Sequence, residues 1–528
     1  MSNPVVANLL ISWLLLPLAA AFLAALLPAL ARWLVCLSAC LTVMVGAWAY
    51  LGGSQVLELI GPLGVELQVD SLSAPFLILN GLVLLGVLVE RWRHPPQGPF
   101  LILLPVLMSG ANSSVVATDL LSLYIALEVV GITAFLLILR NRDSGQLWIG
   151  LRYLLVSNGV MTFYLIGVAL LYLQVGSFRL AALSQLPSTD RGLTILSALI
   201  LMGLLTKSGV FLSGLWLPRT HAEAPADVSA LLSGMVVAAA LCPLLRLSVQ
   251  VPSLQPLLFW LGLASCLLGL VFALLESDLK RLLAWSTVSQ VGLVLLNPLA
   301  GGLFVLAHGL AKACLFLVSG HVPSRRLDGW STRPLPPGLA LPLILASLSI
   351  AGAPPLLGFW SKQALVAAPL PGAIPADFSA SGLSSLLSLG TASVYARLCW
   401  LAVRPGSWLP SPGALTLALA LLLAGFLPLV AWDTAGGWFP GTAATLASVG
   451  KSLAILAAAA GLQALCQWSS HSRGGASPGP LPALPLPNLE RLSDLFGGLV
   501  VMGAGVMLFL WQQQTFVGIE SQELPWPG

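Results

Sequence analysis

The chain has 528 residues, of which 58% are hydrophobic and only 8% charged. Soluble proteins carry about 25% charged residues, so a water-soluble globular fold is excluded. The net charge of +4 is small and dispersed, with no basic run longer than Lys280-Arg281 or Arg325-Arg326, which argues against nucleic acid as a partner.

The opening Met1-Ser2-Asn3-Pro4 lacks a positive segment, so the first apolar stretch reads as a retained helix. Hydropathy then predicts an all-α polytopic membrane protein of about sixteen spans. Their approximate limits are 8–29, 33–51, 71–89, 100–118, 120–139, 148–174, 193–217, 228–248, 255–275, 282–299, 302–320, 339–369, 383–403, 413–432, 446–466 and 496–514. The seventh carries Gly203, Gly209 and Gly214 around Lys207, and the overlong twelfth is interrupted by Gly352-Ala353-Pro354-Pro355 and Gly358. Both read as broken helices. They lie five spans apart and so run in opposite directions, the mark of an inverted repeat with breaks at the transport path.

Residues 1–470 read as one transmembrane core, with repeat units at about 100–250 and 255–403. The Pro/Gly-rich 471–489 is a linker, expected on the cytoplasmic side, and 490–528 a last helix and tail. With the first loop taken as cytoplasmic, odd loops hold fifteen basic residues, among them Arg32, Arg91, Arg140, Arg219, Lys280, Arg281 and Arg325. Even loops hold Arg179, Arg191 and Arg246, with Lys451 close by, together with Glu58, Glu66, Asp70 and Asp119. The positive-inside rule then places both termini on the outer or luminal face.

Seven cysteines, Cys36, Cys40, Cys242, Cys266, Cys314, Cys399 and Cys466, lie in apolar stretches without a CxxC pair. No nucleotide-binding fingerprint is present. The expectation is therefore no cofactor, no metal site and no catalytic group within this chain.

Against this background four charges stand inside apolar spans: Glu128, Lys207, Lys312 and Lys362. Each costs about 2.5–3.5 kcal/mol near a bilayer centre, so such groups face a protein interior or a wet cavity. A carboxyl drawn one way by burial and the other way by a nearby cation can load and release a proton. The intramembrane cations are all lysine, although arginine outnumbers lysine 18 to 5 in the chain. Lysine can give up its proton when buried, whereas arginine cannot. His308 precedes Lys312 by four residues on the same helix face, making it a further relay candidate.

These stretches together resemble the proton-conducting membrane transporter family: antiporter-like subunits of respiratory complex I, of membrane-bound hydrogenases and of Mrp-type sodium/proton antiporters. The matching segments are TDLLSLYIALEVVGITAFLLI, LLTKSGVFLSGLWLPRTHAEAPADVSALLSG, ESDLKRLLAWSTVSQVGLVLL, HGLAKACLFLVSG and GAPPLLGFWSK, covering roughly residues 60–405. The long segment around Lys207 is most similar to Mrp D-type and hydrogenase-type members. The resemblance implies a fourteen-helix core with two inverted five-helix units, and a proton path through Glu128, Lys207, Lys312 and Lys362. It also implies a lysine on helix eight, where this chain has Ala238, eight residues before Arg246. Water and hydroxyls such as Ser208 would then bridge the gap, or the path is impaired.

The expected function is a proton-translocating subunit of a multi-subunit Mrp-like cation/proton antiporter in an energy-conserving membrane, of plasma or thylakoid type. Its partners would be other membrane subunits and protons, with sodium or potassium as open alternatives. A proton-pumping subunit of an NADH- or ferredoxin:quinone oxidoreductase or a hydrogenase, and a proton-coupled inorganic-carbon uptake module, are alternatives. So is a structural paralogue with an impaired path.

Overall fold

In the computed structural model, described for residues 4–94, 98–141, 143–185, 191–330, 335–367, 380–402, 411–430, 446–472 and 489–520, nearly all regular structure is helical. Most of the expected linker lies outside the described residues.

The helices in chain order are α1 (Pro4–Leu26), α2 (Ala31–Tyr50), α3 (Ala74–Arg91), α4 (Gly98–Val116), α5 (Leu120–Ile138) and α6 (Ser144–Val175). The seventh span is α7 (Arg191–Ser208) followed by α8 (Leu217–Glu223). Next, α9 (Ala226–Leu231) runs through a π-turn at Leu232–Val236 into α10 (Val237–Gln250). Beyond lie α11 (Gln255–Leu275), α12 (Leu279–Leu296) and α13 (Gly301–Ser319). The twelfth span is α14 (Pro337–Ala351) and α15 (Leu357–Ala367), and α16 (Ala380–Ala402), α17 (Pro412–Val430), α18 (Leu446–Ser472) and α19 (Leu492–Glu520) complete the chain.

Among the described residues, twelve helices are long and apolar enough to cross a membrane, or thirteen when the bent pair of span seven counts as one. Hydropathy alone predicts about sixteen. The difference falls where a span is built from short pieces, as in the 15-residue α14 and 11-residue α15, or borders undescribed residues, as in α16.

Among the described residues one hairpin departs from the helical pattern. Gln55–Ile60 (β1) and Val65–Val69 (β2) pair antiparallel around a turn whose Gly64 has φ +71°. The all-α membrane architecture holds apart from this hairpin, whose second strand, Val65-Glu66-Leu67-Gln68-Val69, alternates after a Gly-Pro-Leu-Gly turn, a pattern that hydropathy averaging hides.

The charged loops separate into two ends. At one, Arg91 and Arg140 share Asp227 at 3.5 and 2.5 Å, Arg325 holds Asp278 at 2.9 Å, and Arg281 meets Glu490. At the other, Arg246 binds Asp70 at 2.7 Å, and Arg179 reaches Glu66 at 3.2 Å and Glu58 at 3.6 Å. These are respectively odd-loop and even-loop residues.

The two halves share a backbone device. Asp119 caps α5, and Leu120 N–H donates to Phe178 O while Leu180 N–H donates to Thr118 O, both at 2.9 Å. Asp278 caps α12, and Leu279 N–H donates to Arg325 O at 2.9 Å while Leu327 N–H donates to Ser277 O at 3.0 Å. In each half one bridge thus ties the start of a helix to the residues just beyond the next helix. The first bridge sits among the even-loop charges and the second among the odd-loop charges, so the two are inverted.

Candidate functional site

Both broken spans expose carbonyls that an intact helix would use itself. In span seven the break follows Ser208: Gly209 adopts φ +74°, where a side chain would be strained, and a Cβ there would lie 2.3 Å from Leu217. The two pieces are bent by 45°. Trp216 Nε1 donates at 2.9 Å to the Thr206 carbonyl, which also accepts from Gly209 N–H at 3.1 Å, and Phe211 N–H donates to Ser265 Oγ on α11 at 3.0 Å. In span twelve Gly352 ends α14 at φ +90°, and the Ala351 carbonyl accepts from Lys362 Nζ at 3.2 Å. Such irregular backbone survives at membrane depth only inside protein or along a wet cavity.

Lys207 sits one residue before its break and is buried. Its Nζ lies 3.6 Å from Glu128 Oε1 and donates to Leu127 O at 3.2 Å. Gly131, one turn beyond Leu127 on α5, makes room, since a Cβ there would stand 2.7 Å from Nζ. Beside Lys207 a cavity of about 10 Å³ is lined by Tyr153, Ser157, Thr206 and Trp216, about the space one water needs. The structure therefore joins Glu128 and Lys207, as their positions suggested.

Among the described residues no carboxylate pairs with Lys312. Its Nζ is fully enclosed, donates to Leu283 O at 2.6 Å and to Ser286 Oγ, and lies 5.5 Å from the centre of the Tyr395 ring. Ser286 Oγ and Tyr395 Oη are hydrogen-bonded at 2.9 Å. His308, one turn away, is buried with both ring nitrogens unpartnered. It faces a cavity of about 10 Å³ shared with Gln290, Ser349, Gly358 and Ser361. Ser361 directly precedes Lys362, so His308 stands between Lys312 and the break of span twelve. Lys362 itself borders a wider cavity of about 40 Å³ with Asn297, Ser384 and Ser388.

Ser208, buried next to Lys207, donates its hydroxyl back to Leu204 O at 2.7 Å within α7. Ala238 is buried in α10 just past the π-turn. In the π-turn that precedes it, Ser233 Oγ lies 3.4 Å from Thr287 Oγ1 of α12.

Two further residues belong to the site that sequence reasoning leaves among loop charges and motif letters. Lys280 is buried and donates to Ala224 O at 2.7 Å, immediately after α8. His221 on α8 is fully buried, stacks on Phe316 of α13 at 4.5 Å, and has both ring nitrogens unpartnered within electrostatic reach of Lys280 and Lys312. Lys280 beside Arg281 resembles any span-end charge. Its burial accompanies the packing of α12 against α8. Among the described residues no group of three or more His, Cys, Asp or Glu side chains converges as a metal site would need.

The family described as NADH:quinone oxidoreductase/Mrp antiporter, TM, matches residues 117–388, which hold Glu128, Lys207, Lys312 and Lys362. The chain is 33% identical over 386 residues to NADH-quinone oxidoreductase subunit N of Desulforudis audaxviator, covering 67% of this chain and 75% of that one. It is 28% identical over 389 residues to the D-type subunit of the Na(+)/H(+) antiporter of Alkalihalophilus pseudofirmus, covering 66% and 77%. Its fold superposes with TM-score 0.67 on a chain of the Mrp complex from Dietzia sp., at 21% identity over 93% of this chain and 99% of that one. The chain is a multi-pass integral membrane protein and belongs to the NADH:quinone oxidoreductase/Mrp antiporter transmembrane family.

Proposed function

We propose that this chain is the proton-translocating subunit of a multi-subunit, Mrp-like cation/proton antiporter. The observation that carries the reading is the buried Lys207–Glu128 pair, 3.6 Å apart at the break of span seven beside a water-sized cavity. A proton arriving there changes the charge felt by the central groups His221 and Lys280, then by Lys312, His308 and Lys362. At an effective dielectric of about 20, unit charges roughly 8 Å apart interact by about 2 kcal/mol, enough to move a neighbour's proton affinity by more than tenfold. Where a helix-eight lysine is missing at Ala238, the Ser233–Thr287 hydroxyl pair and water carry the proton across.

The partners on this reading are other membrane subunits, the odd-loop end faces the cytoplasm, and both termini face outward. Sodium or potassium is the counter-transported ion. Purification of the tagged chain in mild detergent, followed by mass spectrometry of its companions, tests the assembly. Proton flux in vesicles containing the purified complex tests the path. Small membrane subunits and flux that vanishes in Lys207→Ala and Glu128→Ala are expected; undiminished flux in both variants would sink the relay.

A second reading makes the chain the pump module of a quinone-linked oxidoreductase, with redox cofactors in other polypeptides. The 33% identity to a subunit N favours it. Companions carrying flavin or iron–sulfur centres would select this reading.

A further inference from the structure

The last helix lies against the break of the seventh span. α19 packs on α7 and on the Phe211–Gly214 turn that follows the break. Its buried face is a single stripe, Leu495, Met502, Val506 and Leu510, at helical spacing. Gly498 permits the close approach: a Cβ there would lie 3.0 Å from the Leu212 carbonyl and 3.3 Å from Leu215 Cδ1. Two turns further along, Gly505 is exposed and has nothing within 4 Å of where its Cβ would be.

A charge fastens the start of this helix. Glu490, two residues before α19, is 5% exposed and pairs with Arg281 of α12, next to Lys280. Arg219 of α8, Arg152 of α6 and Glu276 also act on it electrostatically. Arg152 is itself buried with Nη2 unpartnered and feels Asp494 of α19. The elements that meet around Glu490 are therefore those that carry the second half of the broken span and its supports. Removing the Glu490 charge takes compensation from the buried Arg152, while Arg281, 36% exposed, keeps water beside it.

We infer that α19 and Glu490 form a clasp in the same chain that holds the span-seven break closed, with Glu490 a positioning residue for the Glu128–Lys207 site. A break frees backbone groups that hydrocarbon cannot satisfy. Trp216 and Ser265 satisfy two of them from one side, and α19 covers the turn from another. The two spans beyond the expected fourteen then have a use. α18, which buries little of itself, carries the chain across so that Glu490 returns to the end where Arg281 lies.

The functional part of this inference rests on the proposed proton path; the structural part does not. The experiment is amide hydrogen exchange of residues 209–216 in the full-length chain, with proton flux measured in parallel. Glu490→Gln and Gly498→Ile act at different points of the clasp by different physics, one removing a charge and one adding bulk. Each is expected to raise exchange in 209–216 about tenfold, since local opening is controlled by the contacts that cover a segment. Each is also expected to lower flux, while Gly505→Ile changes neither. Unchanged exchange in both variants, or equal change in Gly505→Ile, overturns the clasp. Exchange that rises while even the unaltered chain conducts no protons leaves the clasp standing and overturns the proposed function instead.

Discussion

The two lysines at the centre of the site are held in opposite ways. Lys207 has a carboxylate at 3.6 Å; Lys312, more deeply enclosed, has a carbonyl, a hydroxyl and the face of a tyrosine. A buried cation with a counter-ion is stable as a pair and costly to split. One without a counter-ion bears its desolvation alone. The first half of the molecule thus holds its lysine against a counter-ion, and the second holds one among neutral groups.

The largest effect that could break this comparison is a contrast in stability. Glu128→Gln leaves Lys207 buried without its partner and is expected to cost about 3–5 kcal/mol. Lys312→Met removes an unpaired cation and is expected to melt at or above the temperature of the unaltered protein. Thermal unfolding in detergent reads both. Equal losses would show that Lys312 has a counter-charge after all. In vesicles both variants are expected to lose proton flux by about 100-fold, the range for removing a proton-transfer group.

Next in size are Ser286→Ala and Tyr395→Phe. Each removes one hydroxyl from the pair beneath Lys312, and flux is expected to fall about tenfold in the double variant, the scale of one net hydrogen bond. Lys207-side variants without charge change, such as Ser157→Ala, are expected to fall less. Flux that is unmoved by the double variant would remove Tyr395 from the site.

Ala238→Lys sharpens the comparison from the centre. Ala238 is 2% exposed, so a lysine there enters a packed helix without a carboxylate beside it. No gain in flux and a lower melting temperature are expected. A rise in conductance from near zero would instead mark the natural path as interrupted at this position.

The smallest effect lies outside the spans. His321 Nε2 lies 2.5 Å from Glu90 Oε1, and this hydrogen bond raises the imidazole above its usual 6.5. A raised value means that the stabilisation is fully present below about 6.5 and fades as pH climbs through the folded-state value. Glu90 also accepts from Ser411 Oγ and Gly413 N–H at 2.8 Å, so the contact joins α3, α13 and α17. His321→Gln is expected to flatten the slight fall in melting temperature above pH 6.5; an unchanged slope would place the titration elsewhere.

What could be read in advance followed from the cost of charge in hydrocarbon. Glu128, Lys207, Lys312 and Lys362 are conspicuous because they interrupt apolar runs, and the breaks because Gly and Pro cluster beside two of them. Lys280 and His221 are not, because at the edge of a span a charge needs no excuse. Their burial comes from α12 and α13 packing on α8, which lie far apart in the chain. The hydroxyl direction of Ser208 is also not legible, since a hydroxyl inside a helix can turn back to its own carbonyl, as it does here. The second strand of the hairpin at 55–69 is written in alternation, a period that span-length averaging erases.

The two backbone bridges, Leu120 and Leu180 against 118 and 178, and Leu279 and Leu327 against 277 and 325, have a consequence for descent. Main-chain bonds do not depend on which side chains flank them. Two copies of an ancestral unit can drift until little of their lettering agrees, yet stay fastened at the same joints. Kinship between the halves of such a chain is therefore better sought in its backbone joints than in its residues.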